Sequence, residues 1–343
     1  MRKPKDLIKD AVNIEIAKAR GDASIWKAKH NEAVASAITL EKQLDTLLSI
    51  PKPSKRKVER LSRSRPEGVA AIIPATDWHV EESVSLEQTN GKNSFDLTEA
   101  ERRIDRFYNK TIELIDWQGY LAPVAELWHP LLGDLLTGYI HEELMESNAC
   151  SPTEACVFLQ DRICSGIDFL LAKTKLPIFV PCCVGNHGRT TPKKRIKTSF
   201  KNSYEWLLYM TLAKSYAKNH RVQFVVSKGY HNICHIMGRR VRFHHGDGLR
   251  YQGGVGGITI PVNKSIAQWN KATPVDFDIF GHWHTFLANY PTWISCGSLM
   301  GYSEFSVEIK ADFQHPTQTF IVIDRRYGLT QATPIFLTKP NRS

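Results

Sequence analysis

PVDFDIFGHWH, residues 274–284, is the stretch on which the reading turns. Asp276 to Phe280 has the apolar content of a short buried strand, and it ends in Gly281-His282-Trp283-His284. Two imidazoles flanking one residue directly after such a strand are costly to bury unless each finds a partner. Outward from this point the same grammar recurs four times, an apolar run followed at once by hard or borderline metal ligands: Asp77-Trp78-His79, Gly133-Asp134, Gly185-Asn186-His187 and His245-Gly246-Asp247. In an α/β sheet the crevice past the C-terminal ends of the strands is where ligands bind. Side chains two apart on a strand share a face, so Asp77 and His79 can address one ion. The two oxygens of Asp134 suit a bridge between cations about 3.5–4 Å apart. Singly, each segment reads as a turn; five in one chain do not.

The runs that lead into these segments set the fold class. Strands at Val69–Ala75, Val124–Leu132 and Pro177–Val184 alternate with helical stretches at Leu97–Trp117, Thr153–Ala172 and Asn202–Lys218, the order of an α/β domain. Beyond Arg221 the chain turns strand-rich: Val222–Val226, a hairpin around Gly238, Val241–His245, Phe277–Phe280, Thr292–Cys296, Phe305–Ile309, Thr319–Ile323 and Pro334–Leu337. Residues 69–343 therefore form the main domain.

Residues 1–50 read as helix, with Leu7, Ala11 and Ile14, then Ala33, Ala37, Leu40, Leu44 and Leu47 in alternating steps of four and three. That spacing fits a helical hairpin, punctuated at Gly21-Asp22 with Ser24 as a cap, or a coiled-coil arm for self-association or a protein partner. Residues 51–68, rich in Lys, Arg and Pro, read as an extended basic linker.

A 343-residue chain that is 42% apolar and 23% charged has the composition of a globular protein. No apolar run approaches the roughly 18–20 residues of a spanning helix, and no secretory signal follows the basic start, so a cytoplasmic protein without membrane attachment is expected. The seven cysteines are odd in number with no Cys-x-x-Cys pair, which points to free thiols. A formal charge of +10 suits a polyanionic partner.

The five segments, in this order, resemble the calcineurin-like metallophosphoesterase superfamily over Val69 to Leu337. That superfamily includes the Mre11 and SbcD nucleases, cyclic nucleotide phosphodiesterases and serine/threonine protein phosphatases. The resemblance implies an α/β sandwich of two mixed β-sheets flanked by helices, here with an N-terminal helical extension. It implies two divalent metal ions, one held by Asp77, His79 and His284, the other by Asn186, His245 and His282, with Asp134 bridging. His244 competes with His245 for the fourth element; His245 is preferred because it directly precedes Gly246. The mixed oxygen and nitrogen set suits Mn²⁺ first, then Fe or Zn²⁺. His187 matches the histidine that protonates the leaving oxygen or steadies the transition state.

Two departures narrow the branch. Gly133-Asp134-Leu135-Leu136-Thr137-Gly138 lacks the second aspartate and the arginine of protein phosphatases, and Gly188 stands where an acidic residue commonly follows Asn-His. Downstream lie Arg189, Lys193, Lys194, Arg195, Lys197 and Lys201 with no acidic residue between them, a run suited to the backbone of a nucleic acid. Gly253-Gly254-Val255-Gly256-Gly257 reads as a flexible lid or turn, and Trp78 and Trp283 as walls of the site. The expected activity is a nuclease of the Mre11/SbcD kind, with a large ATPase partner implied by that likeness alone. A phosphomonoesterase or small-nucleotide phosphodiesterase, and an inactive nucleic-acid-binding factor, are the alternatives.

Overall fold

A computed structural model describes residues 4–49, 68–250 and 257–338. The expected linker at 51–68 falls, except for Gly68, outside the described residues. The chain divides into two compact units, residues 1–63 and 64–343.

Within the first unit, helix α1 (Pro4–Ser49) runs unbroken through Gly21-Asp22, so the turn of a hairpin is absent. One glycine costs a helix about 1 kcal/mol, less than the alanine-rich flanks supply. Ser24 does not cap; its hydroxyl donates to the Gly21 carbonyl inside the helix.

Two sheets make the second unit. β1 (Val69–Ile72), β2 (Val124–Trp128), β3 (Ile178–Cys182) and β4 (Val222–Val226) lie parallel and side by side. Antiparallel β10 (Thr317–Asp324) joins the β1 side, with β11 (Gly328–Phe336) at its edge. The second sheet has the order β5 (Asn232–Ile236), β6 (Arg239–His244), β7 (Phe277–Phe280), β9 (Trp293–Ser295) and β8 (Leu287–Asn289), with β6, β7 and β9 parallel. All four residues of β1 and of β7 are buried, as suits strands covered on both faces.

Ile72, Trp128 and Ile321 of the first sheet pack against Val241, Phe243, Ile279 and Ile294 of the second. On the outer face of the first sheet lie α2 (Leu97–Gly119), α4 (Pro152–Lys173) and α5 (Tyr204–Ser215), through Ile104, Phe107, Leu159, Ile163, Leu208 and Leu212. The short α3 (Leu144–Ser147) precedes α4, whose start is fixed by a reciprocal cap between Ser151 and Glu154. Helix α6 (Thr259–Ala272) covers the second sheet's outer face with Val262 and Ile266 on Phe280 and Trp293. The result is the expected sandwich of two mixed sheets flanked by helices.

Phe305–Ile309 is not a strand but the helix α7 (Glu304–Glu308). Ser303 and Ser306 cap it and Glu304 accepts from the Ser85 amide, local bonds that override an alternating pattern whose Phe305 and Ile309 are exposed. All seven cysteines are free.

His129, fully buried after β2, is bonded to the Ile73 carbonyl and the Tyr108 hydroxyl, and burial lowers its pKa to about 4. Between about pH 6.5 and 4 the unfolded chain therefore binds a proton that the native chain does not, so stability falls with falling pH. Urea denaturation should show a loss of about 2 kcal/mol from His129 alone between about pH 7 and 5, and a correspondingly shallower dependence in His129→Gln.

Candidate metal centre

Every segment singled out in the sequence leaves a parallel strand at its C-terminal end: Asp77 and His79 after β1, Asp134 after β2, Asn186 and His187 after β3, His245 after β6, and His282 and His284 after β7. The backbone there is unusual. Eight non-glycine residues among those described have positive φ, and five are Asp77 (53°), His79 (46°), Asp134 (51°), His282 (70°) and His284 (51°). Left-handed backbone costs a branched or polar residue on the order of 1–3 kcal/mol, and such strain gathers at functional sites.

Four of these loops supply two groups of side chains placed to hold a metal ion. Asp77, His79 and His284 form one, Asp134, His245 and His282 the other, and in each the candidate ligand atoms lie within 4.8 Å of one another. In the first, His79 Nε2 and His284 Nε2 are 3.2 Å apart, and His284 Nε2 is 3.4 Å from Asp77 Oδ1. In the second, His245 Nε2 is 2.8 Å from Asp134 Oδ2, while its Nδ1 is bonded to the Leu132 carbonyl. That bond holds a proton on Nδ1 and turns Nε2 toward Asp134, the nitrogen through which a histidine so oriented would bind a metal. The Asn186 Oδ1 is buried with no hydrogen-bond partner. A buried carbonyl oxygen left unpaired is costly, and a cation beside it removes the cost. The donor set therefore fits divalent metals.

Charge is concentrated to match. Burial opposes ionisation of Asp134, yet His245 and His187 beside it hold its pKa well below the usual carboxylate range. Burial likewise opposes a charge on His245, but Asp134 outweighs it and raises the imidazole to about 10. Burial, reinforced by His187 and His284, keeps His79 neutral.

His187 sits 4.8 Å from the His79 ring, edge to face. Its amide donates to Asp134 Oδ1 at 2.8 Å, and its Nδ1 is 3.0 Å from the Thr137 carbonyl. Thr137, in the loop that lacks the phosphatase aspartate, thus orients the ring through its backbone.

Three buried side chains that sequence reading missed hold the loops. Gln318 on β10 accepts from the Thr76 amide and the Trp78 indole and donates to the Thr76 and Gly297 carbonyls. Glu205 on α5 accepts from the Leu135 amide at 2.8 Å and the Gly185 amide at 2.7 Å, tying the Asp134 loop to the Asn186 loop. A Cβ at Gly188 would meet Glu205 Cγ at 2.7 Å, so the Glu205 carboxylate lies where a side chain at 188 would go. Glu81 accepts from the Thr137 and Gly138 amides. Burial raises Glu205 to about 8 and Glu81 to about 7. Only their distance in sequence from the loops they brace hid them.

Glycine precedes the ligands because the loops touch. A Cβ at Gly185 would lie 2.1 Å from Asp134 Oδ1, and one at Gly281 would lie 2.4 Å from Asp77 Oδ2.

His244 lies apart from both groups, stacked on Phe280 with its Nε2 3.4 Å from Asp278. Trp78 is fully buried, a core residue, and Trp283 packs with the α6 cluster. In the basic run, Arg189 donates to the carbonyls of Asn186, Thr191 and Pro192, and Lys194 pairs with Asp247. Lys193, Arg195 and Lys197 are exposed. Asn186, Arg189, Lys194, Arg195, Tyr230 and Trp269 line a cavity of about 310 Å³ beside the centre. Of the glycine-rich stretch only Gly257 falls within the described residues.

No family model matches the sequence, and no curated protein matches it. Among solved structures the chain is similar to a conserved uncharacterized protein, a predicted phosphoesterase, from Streptococcus pneumoniae, with 9% identity and a TM-score of 0.30 over 78% of this chain and 99% of that one. It is similar to a Vps29 variant from Entamoeba histolytica at 11% identity and a TM-score of 0.32, over 77% and 98%. It is also similar to the sulfate thiohydrolase SoxB of a Thermus species at 8% identity and a TM-score of 0.31, over 80% and 58%.

Gly281→Ala should weaken binding of a divalent metal ion by at least tenfold in calorimetry while leaving circular dichroism unchanged, because the added methyl displaces Asp77. Glu205→Ala should do the same by freeing two loops at once.

Proposed function

We propose that this chain is a metal-dependent phosphoesterase of the calcineurin-like kind, acting on phosphodiester bonds in nucleic acid. The observation that carries the reading is the pair of His/Asp groups side by side, with the unpaired Asn186 oxygen next to them. Asp77, His79 and His284 would hold one ion, and Asn186, His245 and His282 the other, with Asp134 shared between them. Two divalent ions supply a lowered water pKa and neutralisation of the phosphoryl oxygens.

The chain's own residues do the rest. His187, fixed at Nδ1 by Thr137, would donate a proton from Nε2 to the leaving oxygen in its imidazolium form, which burial disfavours and the Asp134 carboxylate beside it supports. Lys194 and Arg195 at the cavity favour a polyanion, and Tyr230 and Trp269 form its apolar wall. Manganese is the proposed metal, and the nuclease branch typified by Mre11 and SbcD the proposed kin. One observation favours a second reading, a small-nucleotide phosphodiesterase: a cavity of about 310 Å³ is the size of a small-ligand site.

Purified protein with Mn²⁺ should cleave labelled DNA and bis-p-nitrophenyl phosphate, and cleave p-nitrophenyl phosphate poorly. His187→Ala should lower kcat by about 10²–10⁴ with metal binding retained, and Asp134→Ala should abolish both. Intact DNA alongside rapid cyclic-nucleotide hydrolysis would select the second reading; no turnover of any phosphate ester with any metal would overturn both.

A further inference from the structure

Helix α1 is an unbroken 46-residue helix, and every residue of it whose side chain is described is exposed. At about 1.5 Å per residue it extends for roughly 70 Å. A helix of this kind owes most of its stability to packing of an apolar stripe, and here the stripe is bare. From Val12 to Leu47 the seam runs in strict alternation of four and three residues, through Ile16, Trp26, Leu40 and Leu44, with alanine at most intervening seam positions. Trp26 is 74% exposed and Leu47 65%. Such a repeat, sustained over five heptads, is what winds two helices into a left-handed coiled coil.

The charges beside the seam say what the partner is. With Ile16, Ala23, His30, Ala37 and Leu44 at one seam position, Glu15 and Asp22 flank it on one side, and Arg20 and Lys27 on the other. In a parallel, in-register pair, each residue on the first side faces the one five further along on the other helix. Glu15 then meets Arg20 of the second copy, Asp22 meets its Lys27, and both contacts occur twice. Farther along, Lys29 meets Val34 and Ser36 meets Glu41, so no like charges oppose. His30, the single polar seam position, meets its own counterpart and fixes the register, as a lone polar residue at such a position does.

We infer that a second copy of this chain covers the α1 seam, making the protein a parallel coiled-coil dimer through residues 12–47. The inference is independent of the proposed chemistry.

The test uses the full chain and two charge-reversed variants, Glu15→Lys with Asp22→Lys, and Arg20→Glu with Lys27→Glu. Sedimentation velocity at tens of micromolar should give a dimer for the parent chain, predominantly monomer for each variant alone, and dimer again for their equimolar mixture. Circular dichroism of the mixture separates loss of pairing from loss of folding, since the mixture must recover any helicity the separate variants lose. A monomeric parent chain, meaning that the seam is covered by something else, overturns the inference. So do variants that stay dimeric alone, the result expected of an antiparallel pair or of contacts outside α1, and a mixture that fails to pair.

Discussion

The His282 amide donates to both oxygens of Asp77, at 2.9 and 3.1 Å, and on that contact the rest of the site depends. Asp77 belongs to the first sheet's loops and His282 to the second sheet's. Packing of Ile72 and Ile321 on Phe243 and Ile279 brings the sheets together, but apolar packing alone does not set the relative height of two strand ends. The bifurcated bond does, and Gly281, with no room for a Cβ, allows the approach. Ligands drawn from both sheets can then surround one space.

What could be read in the sequence was what is local. A ligand that follows its strand by a few residues announces itself, because burying a histidine or aspartate beside an apolar run is costly without purpose. The strands at Val222–Val226 and Phe277–Phe280 were legible for the same reason. The braces were not. Nothing around Glu205 or Gln318 distinguishes either from any polar residue of a helix or strand, since their partners are backbone amides from loops far along the chain. The sequence pattern does not announce α6, because Pro261 and a glycine-rich approach mask its start, and it favours a strand at α7 because Phe305, Val307 and Ile309 alternate. The turn expected at Gly21 fails because one glycine does not outweigh a long run of helix-formers.

Glu205 and Glu81 also show how the centre tolerates its own charge. Each accepts two backbone N–H bonds, which favour the carboxylate, while burial and the nearby Asp134 favour the acid. The balance raises Glu81 to about 7 and Glu205 to about 8, so at neutral pH neither adds a full negative charge to a pocket that already holds Asp77 and Asp134. A carboxylate carried by α5, not by the loop itself, thus fills the space beside Gly188.

Gln318 carries one more consequence, for the order of events during synthesis. The side chain that fixes the Thr76–Trp78 backbone comes 242 residues after it. The Thr76–Trp78 backbone therefore takes its final shape only after residue 318 has been synthesised, and a growing chain short of that point cannot set the first ligand loop.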